Sequence, residues 1–322
     1  MGANVRHHLN KTTNLEGLNH LLTDVIDITG FETRQVSRTV SEKEVRSLYG
    51  QLSLGWNDIY YLDATVRNDV SSSLAPKHRS YWYPSLSGSI LASNMFEHGK
   101  WLTFAKLRGS WARVGGDTSP YQLSLDYALR DFTLNGKSLG TATGMSSIPY
   151  YDLKPTSTNS IEFGADLRFF DSRLTLDLTV YKQNTTDQIM NLPVSTATGR
   201  DKALINAGEI ENKGVEVTLG ITPVETRDFK WDITATYSHN QNMVKYLHPD
   251  VPNYELAAAR WANAWIYALP GQPYGAIMGP TIKRNDAGEV IVDATTGLPK
   301  FNTELSVLGN GNYDHIVGLN TS

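Results

Sequence analysis

Residues 159–183 read NSIEFGADLRFFDSRLTLDLTVYKQ. Ile161, Phe163, Ala165, Leu167 and Phe169 are apolar, and Glu162, Gly164, Asp166 and Arg168 between them are polar or bare. The phase resets across Asp171-Ser172. Leu174, Leu176, Leu178 and Val180 then alternate with Arg173, Thr175, Asp177 and Thr179. Period two over two segments, with a polar turn between them, predicts a β-hairpin with one apolar and one charged face. A helix needs apolar residues three and four apart, and this stretch does not supply them.

The pattern recurs on both sides. Leu48, Leu52, Leu54 and Trp56 alternate with Tyr49, Gln51, Ser53 and Gly55; after Asn57-Asp58, Tyr60, Leu62, Ala64 and Val66 alternate with Tyr61, Asp63, Thr65 and Arg67. Further strands are expected near 83–92, 102–114, 204–221 and 229–243, and inside 115–157 around Tyr121–Leu129. Residues 1–46 are polar and weakly patterned, and read as an irregular N-terminal segment. Residues 47–244 carry the strands. Residues 245–322 read as a long loop region with a minor hairpin at NDAGEVIVDATTG (285–297) and the start of a further strand at HIVGLNTS.

The connections alternate in length: short at 57–58, long at 68–82, short at 93–101, very long at 115–157, short at 170–173, long at 184–203, short at 222–228 and very long at 245–312. A soluble sandwich has no reason to place its long loops after every second strand. An outer-membrane barrel does, with short periplasmic turns and long extracellular loops. The strands reach spanning length, and the polar face suits a wet lumen. Aromatics sit toward strand ends (Tyr60, Tyr61, Tyr81, Trp82, Tyr83, Trp101, Tyr181, Trp231 and Tyr237), where a bilayer interface favours rings with a polar edge. The fold class expected is all-β, an antiparallel up-and-down transmembrane β-barrel, present in part. A soluble β-sheet carbohydrate-binding module is the second reading, because alternation alone also fits an inward-packed sandwich.

Composition agrees. Of the 322 residues only 19% are charged, with 16 Tyr, 7 Trp and 26 Gly, which suits a β protein with an apolar outer band. A net charge of -4 and the lack of a basic patch give no footprint for nucleic acid. The absence of cysteine excludes a disulfide scaffold, a thiolate zinc site and a cysteine nucleophile. No apolar run approaches the roughly 20 residues of a membrane helix. MGANVRHHLN holds no apolar signal core, so no signal peptide is expected there and an exported protein would be represented by a fragment.

Several segments, in order, resemble the SusC/RagA-type TonB-dependent outer-membrane transporters of Bacteroidetes. YYLDATVRNDVSSSLAPKHRSYWYPSLSGS (60–89) resembles a strand ending in arginine, a DGSS-like loop and a YFPS-like strand start. MFEHGKWLTFAKLRGSWARVGGD (95–117) resembles a turn and an LKLRASYG-like strand. YDLKPTSTNSIEFGADLRFFDSRLTLDLTVYKQNTTDQI (151–189) resembles an NPDLKPE-like lead-in and hairpin. NAGEIENKGVEVTL (206–219) is the most specific match, and LPGQPYGAIMG (269–279) resembles the G-x-P-Y/F-G segment. The resemblance covers roughly residues 45–322, the C-terminal half of the family's barrel. It implies about eight or nine strands of a roughly 22-stranded barrel. It further implies uptake of an oligosaccharide or peptide captured with a SusD-like lipoprotein, driven by TonB through a plug domain absent from this chain, in contact with outer-membrane lipid. The long loops would hold ligand contacts, with Trp261, Trp265 and Tyr267 in RWANAWIYALP, and Tyr81 and Trp82, as candidates. The bland reading is that Trp261 and Trp265, four apart, pack a short helical turn against the loop region.

No catalytic constellation emerges. There is no G-x-S-x-G elbow, and His7-His8 make a poor metal site without carboxylates. Glu162, Asp166, Asp177 and Glu216 read as lumen-lining groups rather than a glycosidase pair. Asp286, Glu289 and Asp293 lack calcium-loop spacing. No enzyme activity, cofactor or metal is expected.

Overall fold

The structure, a computed structural model, describes residues 1–21, 27–95, 101–125, 127–134, 137–144, 147–259 and 263–322. In chain order the strands are β1 (Gly2–His20), β2 (Phe31–Trp56), β3 (Tyr60–Ser71), β4 (Ser80–Leu91), β5 (Leu102–Gly116), β6 (Tyr127–Leu134), β7 (Lys137–Gly144), β8 (Ser147–Ile148), β9 (Thr156–Phe169) and β10 (Leu174–Thr186). They continue with β11 (Ile189–Pro193), β12 (Lys202–Asn206), β13 (Glu209–Glu225), β14 (Lys230–Tyr246), β15 (Tyr254–Ala259), β16 (Ala264–Ala268), β17 (Ala276–Ile282), β18 (Phe301–Asn310) and β19 (His315–Thr321).

Ten of these form one antiparallel sheet in the order β1-β2-β3-β4-β5-β9-β10-β13-β14-β19. This is an up-and-down meander with β1 and β19 at its two open edges. The opening hairpin is β9 and β10, paired from Leu174↔Phe169 to Thr186↔Ser157. Its turn holds Phe170, Asp171 and Ser172 at positive φ. The connections at 57–59, 92–101, 170–173 and 226–229 lie at one end of the sheet; those at 21–30 and 72–79 and the three much longer ones, 117–155, 187–208 and 247–314, lie at the other.

Register keeps the two faces chemically separate across six strands. One row runs Ser89, Arg108, Gly164, Thr179, Glu216 and Ser238; the next residue along each strand gives Ile90, Leu107, Ala165, Leu178, Val217 and Tyr237. The apolar face is bare: Leu107 is 49% exposed and Phe163, two residues along β9 from Ala165, 61%. In a sandwich a second sheet would cover these side chains. The buried clusters lie elsewhere, at the long-connection end. Met190, Leu192, Ala207, Val244, Leu247 and Ala268 form one, and Leu74, Leu153 and Leu204 the other.

The structure corrects the reading of residues 1–46 as irregular. They form β1 and most of β2, paired from Gly2↔Tyr49 to His20↔Phe31. Pairing of β2 with β3 ends at Val45↔Ser71, so residues 31–44 carry this hairpin roughly 45 Å past the sheet at about 3.3 Å per residue. Most of its side chains are exposed on both faces, so no apolar period marks it. Residues 245–322 also differ from a plain loop. They hold a four-stranded sheet, β15-β16-β17-β18, before β19 rejoins the main sheet. Around 285–297 the backbone shows isolated bridges, Arg284↔Val290 and Val292↔Pro299. The strand expected at Tyr121–Leu129 begins only at Tyr127, in the β6–β7 hairpin, and Asp126 lies outside the described residues.

Candidate functional site

The long-connection end of the sheet forms a vestibule whose polar groups are paired. On β3, the Arg67 Nε donates to Asp69 Oδ1 at 2.7 Å, and Arg67 also donates to Ser47 Oγ on β2 at 2.8 Å. The guanidinium stands 6.0 Å from the Tyr49 ring. Tyr81 and Tyr83 on β4 face the same side, with ring centroids 5.2 Å apart. Gly115 lets the rings approach: a Cβ there would stand 2.7 Å from the Tyr81 ring. Alternation brings these groups together, since Arg67 pairs with Tyr83 and Asp69 with Tyr81 across the strands.

The loops are tied to this floor by ions and by apolar packing. Lys43 Nζ meets Asp117 Oδ1 at 2.7 Å, and the buried Ser71 donates to Asp117 Oδ2 at 2.6 Å. His78 Nε2 meets Asp152 Oδ1 at 3.0 Å. Tyr81, Leu123 and Ile189 pack on the Leu74–Leu153–Leu204 cluster. In the upper region, burial pushes the Tyr254 and Tyr274 hydroxyls above the ordinary phenol range, so both stay protonated and neutral.

Lower on the same polar face, Arg108 grips Asp177 with both guanidinium nitrogens, at 2.9 and 2.7 Å, and donates to Thr179 Oγ1 at 2.7 Å. Asp63, Ser87, Lys106, Glu162 and Thr179 join Arg108 around a concavity of about 230 Å³. Within it Arg108 and Thr179 are bonded to each other, while Asp63 accepts from Ser53 and Glu162 from Ser160. Among the described residues no group of three or more His, Asp or Glu converges to hold a metal.

The five residues singled out from sequence do not form one site. Tyr81 and Trp82 both line a small concavity with His78, Arg113 and Lys154. Trp265 and Tyr267 lie on β16, in the separate four-stranded sheet, where Trp265 pairs with Met278 and the Tyr267 hydroxyl donates to Glu255 at 3.3 Å. Trp265 is thus in a strand and not in a helical turn. Trp261 lies outside the described residues. Sequence reasoning missed Arg67, Asp69, Tyr83 and Asp117. They come from separate segments, and only the strand register joins them.

The chain matches the family model described as TonB dependent receptor-like, beta-barrel, over residues 4–312. It is 29% identical over 230 residues to "TonB-dependent receptor P26" of Formosa agariphila, covering 68% of this chain and 23% of that protein. It is 25% identical over 221 residues to "TonB-dependent receptor SusC" of Bacteroides thetaiotaomicron, covering 65% of this chain and 22% of that protein. The chain therefore spans less than a quarter of the length of these relatives. Its backbone superposes on the solved structure of the RagAB peptide transporter with a TM-score of 0.74 at 17% identity, over 98% of this chain and 36% of that one. The open ten-stranded meander, its bare apolar face and its long loops at one end are those of an outer-membrane barrel wall, and the chain belongs to the TonB-dependent receptor-like β-barrel family.

Proposed function

We propose that this chain forms part of the barrel of a SusC/RagA-type importer of oligosaccharide or peptide fragments. A SusD-like lipoprotein would deliver the ligand to the long-loop end, and TonB would act through a plug domain outside this chain. The observation that carries the reading is the pairing of a bare apolar face with an ion-lined face, under loops that all rise from one end. The apolar face meets lipid and the polar face surrounds the transport path. The vestibule rings and ions offer stacking surfaces and hydrogen bonds to a polar ligand. We place Tyr81 and Trp82 at its wall, and Trp265 and Tyr267 in the loop layer above it. The family is one of transporters, and that is the activity proposed, in place of an enzyme.

The test is uptake by cells of labelled glycan and peptide fragments, with the gene for the intact receptor deleted and then restored. Uptake should disappear on deletion, return on restoration, and disappear again when TonB is removed. Recovery of the intact protein in the aqueous fraction without detergent would instead support the soluble carbohydrate-binding module.

A further inference from the structure

The apolar face is interrupted at one place by facing lysines. One cross-strand row runs Trp111, Ile161, Lys182, Lys213 and Gln241 over β5, β9, β10, β13 and β14. Lys182 and Lys213 are direct partners, and both are exposed. Like charges directly opposite each other on a sheet are destabilising, so this pair is a cost the sheet bears without internal benefit. Glu211 relieves only part of it. Its carboxylate meets Lys182 Nζ at 2.9 Å and Lys245 Nζ at 3.3 Å, and among the described residues Lys213 has no carboxylate at ion-pair distance. The nearby Glu209 accepts from Asn184 instead. Three lysines thus stand against two carboxylates on the side of the sheet that faces lipid.

Directly below the lysines, toward the short turns, β10 and β13 carry an unbroken apolar stripe, while β14 places His239 beside Val215 before turning apolar. Val180, Leu178, Leu176 and Leu174 on β10 continue sideways into Val215, Val217, Leu219 and Ile221 on β13. Ala235 and Tyr237 extend it on β14. The lysines lie toward the long-loop end, which is the outer-leaflet side. We propose that Lys182 and Lys213, with Lys245, form a docking site for a phosphate-bearing lipid of the outer leaflet, whose acyl chains lie along the stripe below. The lipid phosphate supplies the negative charge the lysine row lacks, and the chains cover side chains that no part of the fold covers. Basic residues at a membrane surface hold anionic lipid in this way.

The test uses the intact receptor, stripped of lipid in detergent and titrated with bisphosphorylated lipid A, with the bound population read by native mass spectrometry. Lys182→Gln combined with Lys213→Gln should weaken binding at least roughly fivefold, the effect of removing one surface lysine. Lys230→Gln, at the opposite end of the sheet, should leave binding unchanged. Dephosphorylated lipid should bind the wild type as weakly as bisphosphorylated lipid binds the double variant. Equal binding by wild type and double variant overturns the proposal. So does equal binding of the two lipids, or displacement of the lipid by millimolar inorganic phosphate, which would make the lysines a free-anion site. Heat-modifiable migration on gels reports whether each variant is folded. If the double variant is not, Lys213→Gln alone, which leaves the Lys182–Glu211 pair in place, carries the same fivefold expectation.

Discussion

At the residue scale, the lumenal ion pair depends on a missing side chain. Gly164 stands directly opposite both Arg108 and Thr179. A Cβ there would lie 2.5 Å from Arg108 Nε. Arg108 crosses over Gly164 to reach Asp177 two strands away. Gly164→Val should therefore displace the guanidinium from Asp177. Both partners are more than a third exposed, so solvent screens the pair and its loss should cost only about 0.5–1 kcal/mol. Urea unfolding of the intact receptor in vesicles reads that cost, and Asp177→Asn should give a similar value. Leu176, on the other face, offers the larger contrast. Leu176→Arg should destabilise the barrel by about 2–4 kcal/mol near the bilayer midplane, and Thr175→Arg, one residue away, by far less. The alternation Leu174 to Val180 made both faces legible in the sequence. The Arg108–Asp177 contact was not legible, since it joins side chains 69 residues apart through register alone.

At the element scale, turn chemistry and pattern divide what could be read. Asn57 and Asp58 have φ of 53° and 51°, and Ile59 N donates to Trp56 O. This is a type I′ turn, which favours Asn, Asp and Gly at both central positions. Asp58→Gly should therefore leave stability within a few tenths of a kcal/mol. Asp58→Val should cost about 1–2 kcal/mol, because a β-branched residue resists the left-handed region; the same urea titration distinguishes the two. The outer part of the β1–β2 hairpin was not legible. Alternation appears only where one face meets a different medium from the other, and here both faces meet water. Val36 and Leu15 are 68% and 59% exposed. Replacing residues 12–39 with a two-residue turn should accordingly leave the heat-modifiable barrel intact, as judged by gel migration. Loss of the folded form would show that the protrusion supports the sheet. The β15–β18 sheet escaped detection for a related reason: its strands are short and interrupted by register shifts at Glu255/Ala257, Ile277/Met278 and Pro280/Ile282, which break the period of two.

At the scale of the whole molecule, the loop-length alternation was the decisive signal, because it reports topology without any long-range contact. Four short connections at one end and the three much longer ones at the other require an up-and-down meander. The structure adds β1 and extends β2 at the N-terminal side, giving ten strands in the main sheet where eight or nine were expected. The sheet stays open, and its edge strands β1 and β19 present unpaired backbone groups on their outer sides. In hydrocarbon such groups cost several kcal/mol each, so residues 1–322 expressed alone should yield no heat-modifiable species in lipid vesicles. A stable inserted barrel from this chain alone would contradict that expectation.

The central claim is that one face of the sheet meets lipid and the other meets a wet lumen. The chain has no cysteine, so single cysteines can be placed from Leu174 to Val180 in a cysteine-free intact receptor and spin-labelled. Electron paramagnetic resonance in vesicles then compares collision with oxygen, which concentrates in lipid, against a water-soluble nickel chelate. The account predicts a period of two with the probes out of phase: oxygen maxima at 174, 176, 178 and 180, and nickel maxima at 175, 177 and 179. Uniform nickel accessibility along β10, or an alternation of the opposite phase, would contradict it.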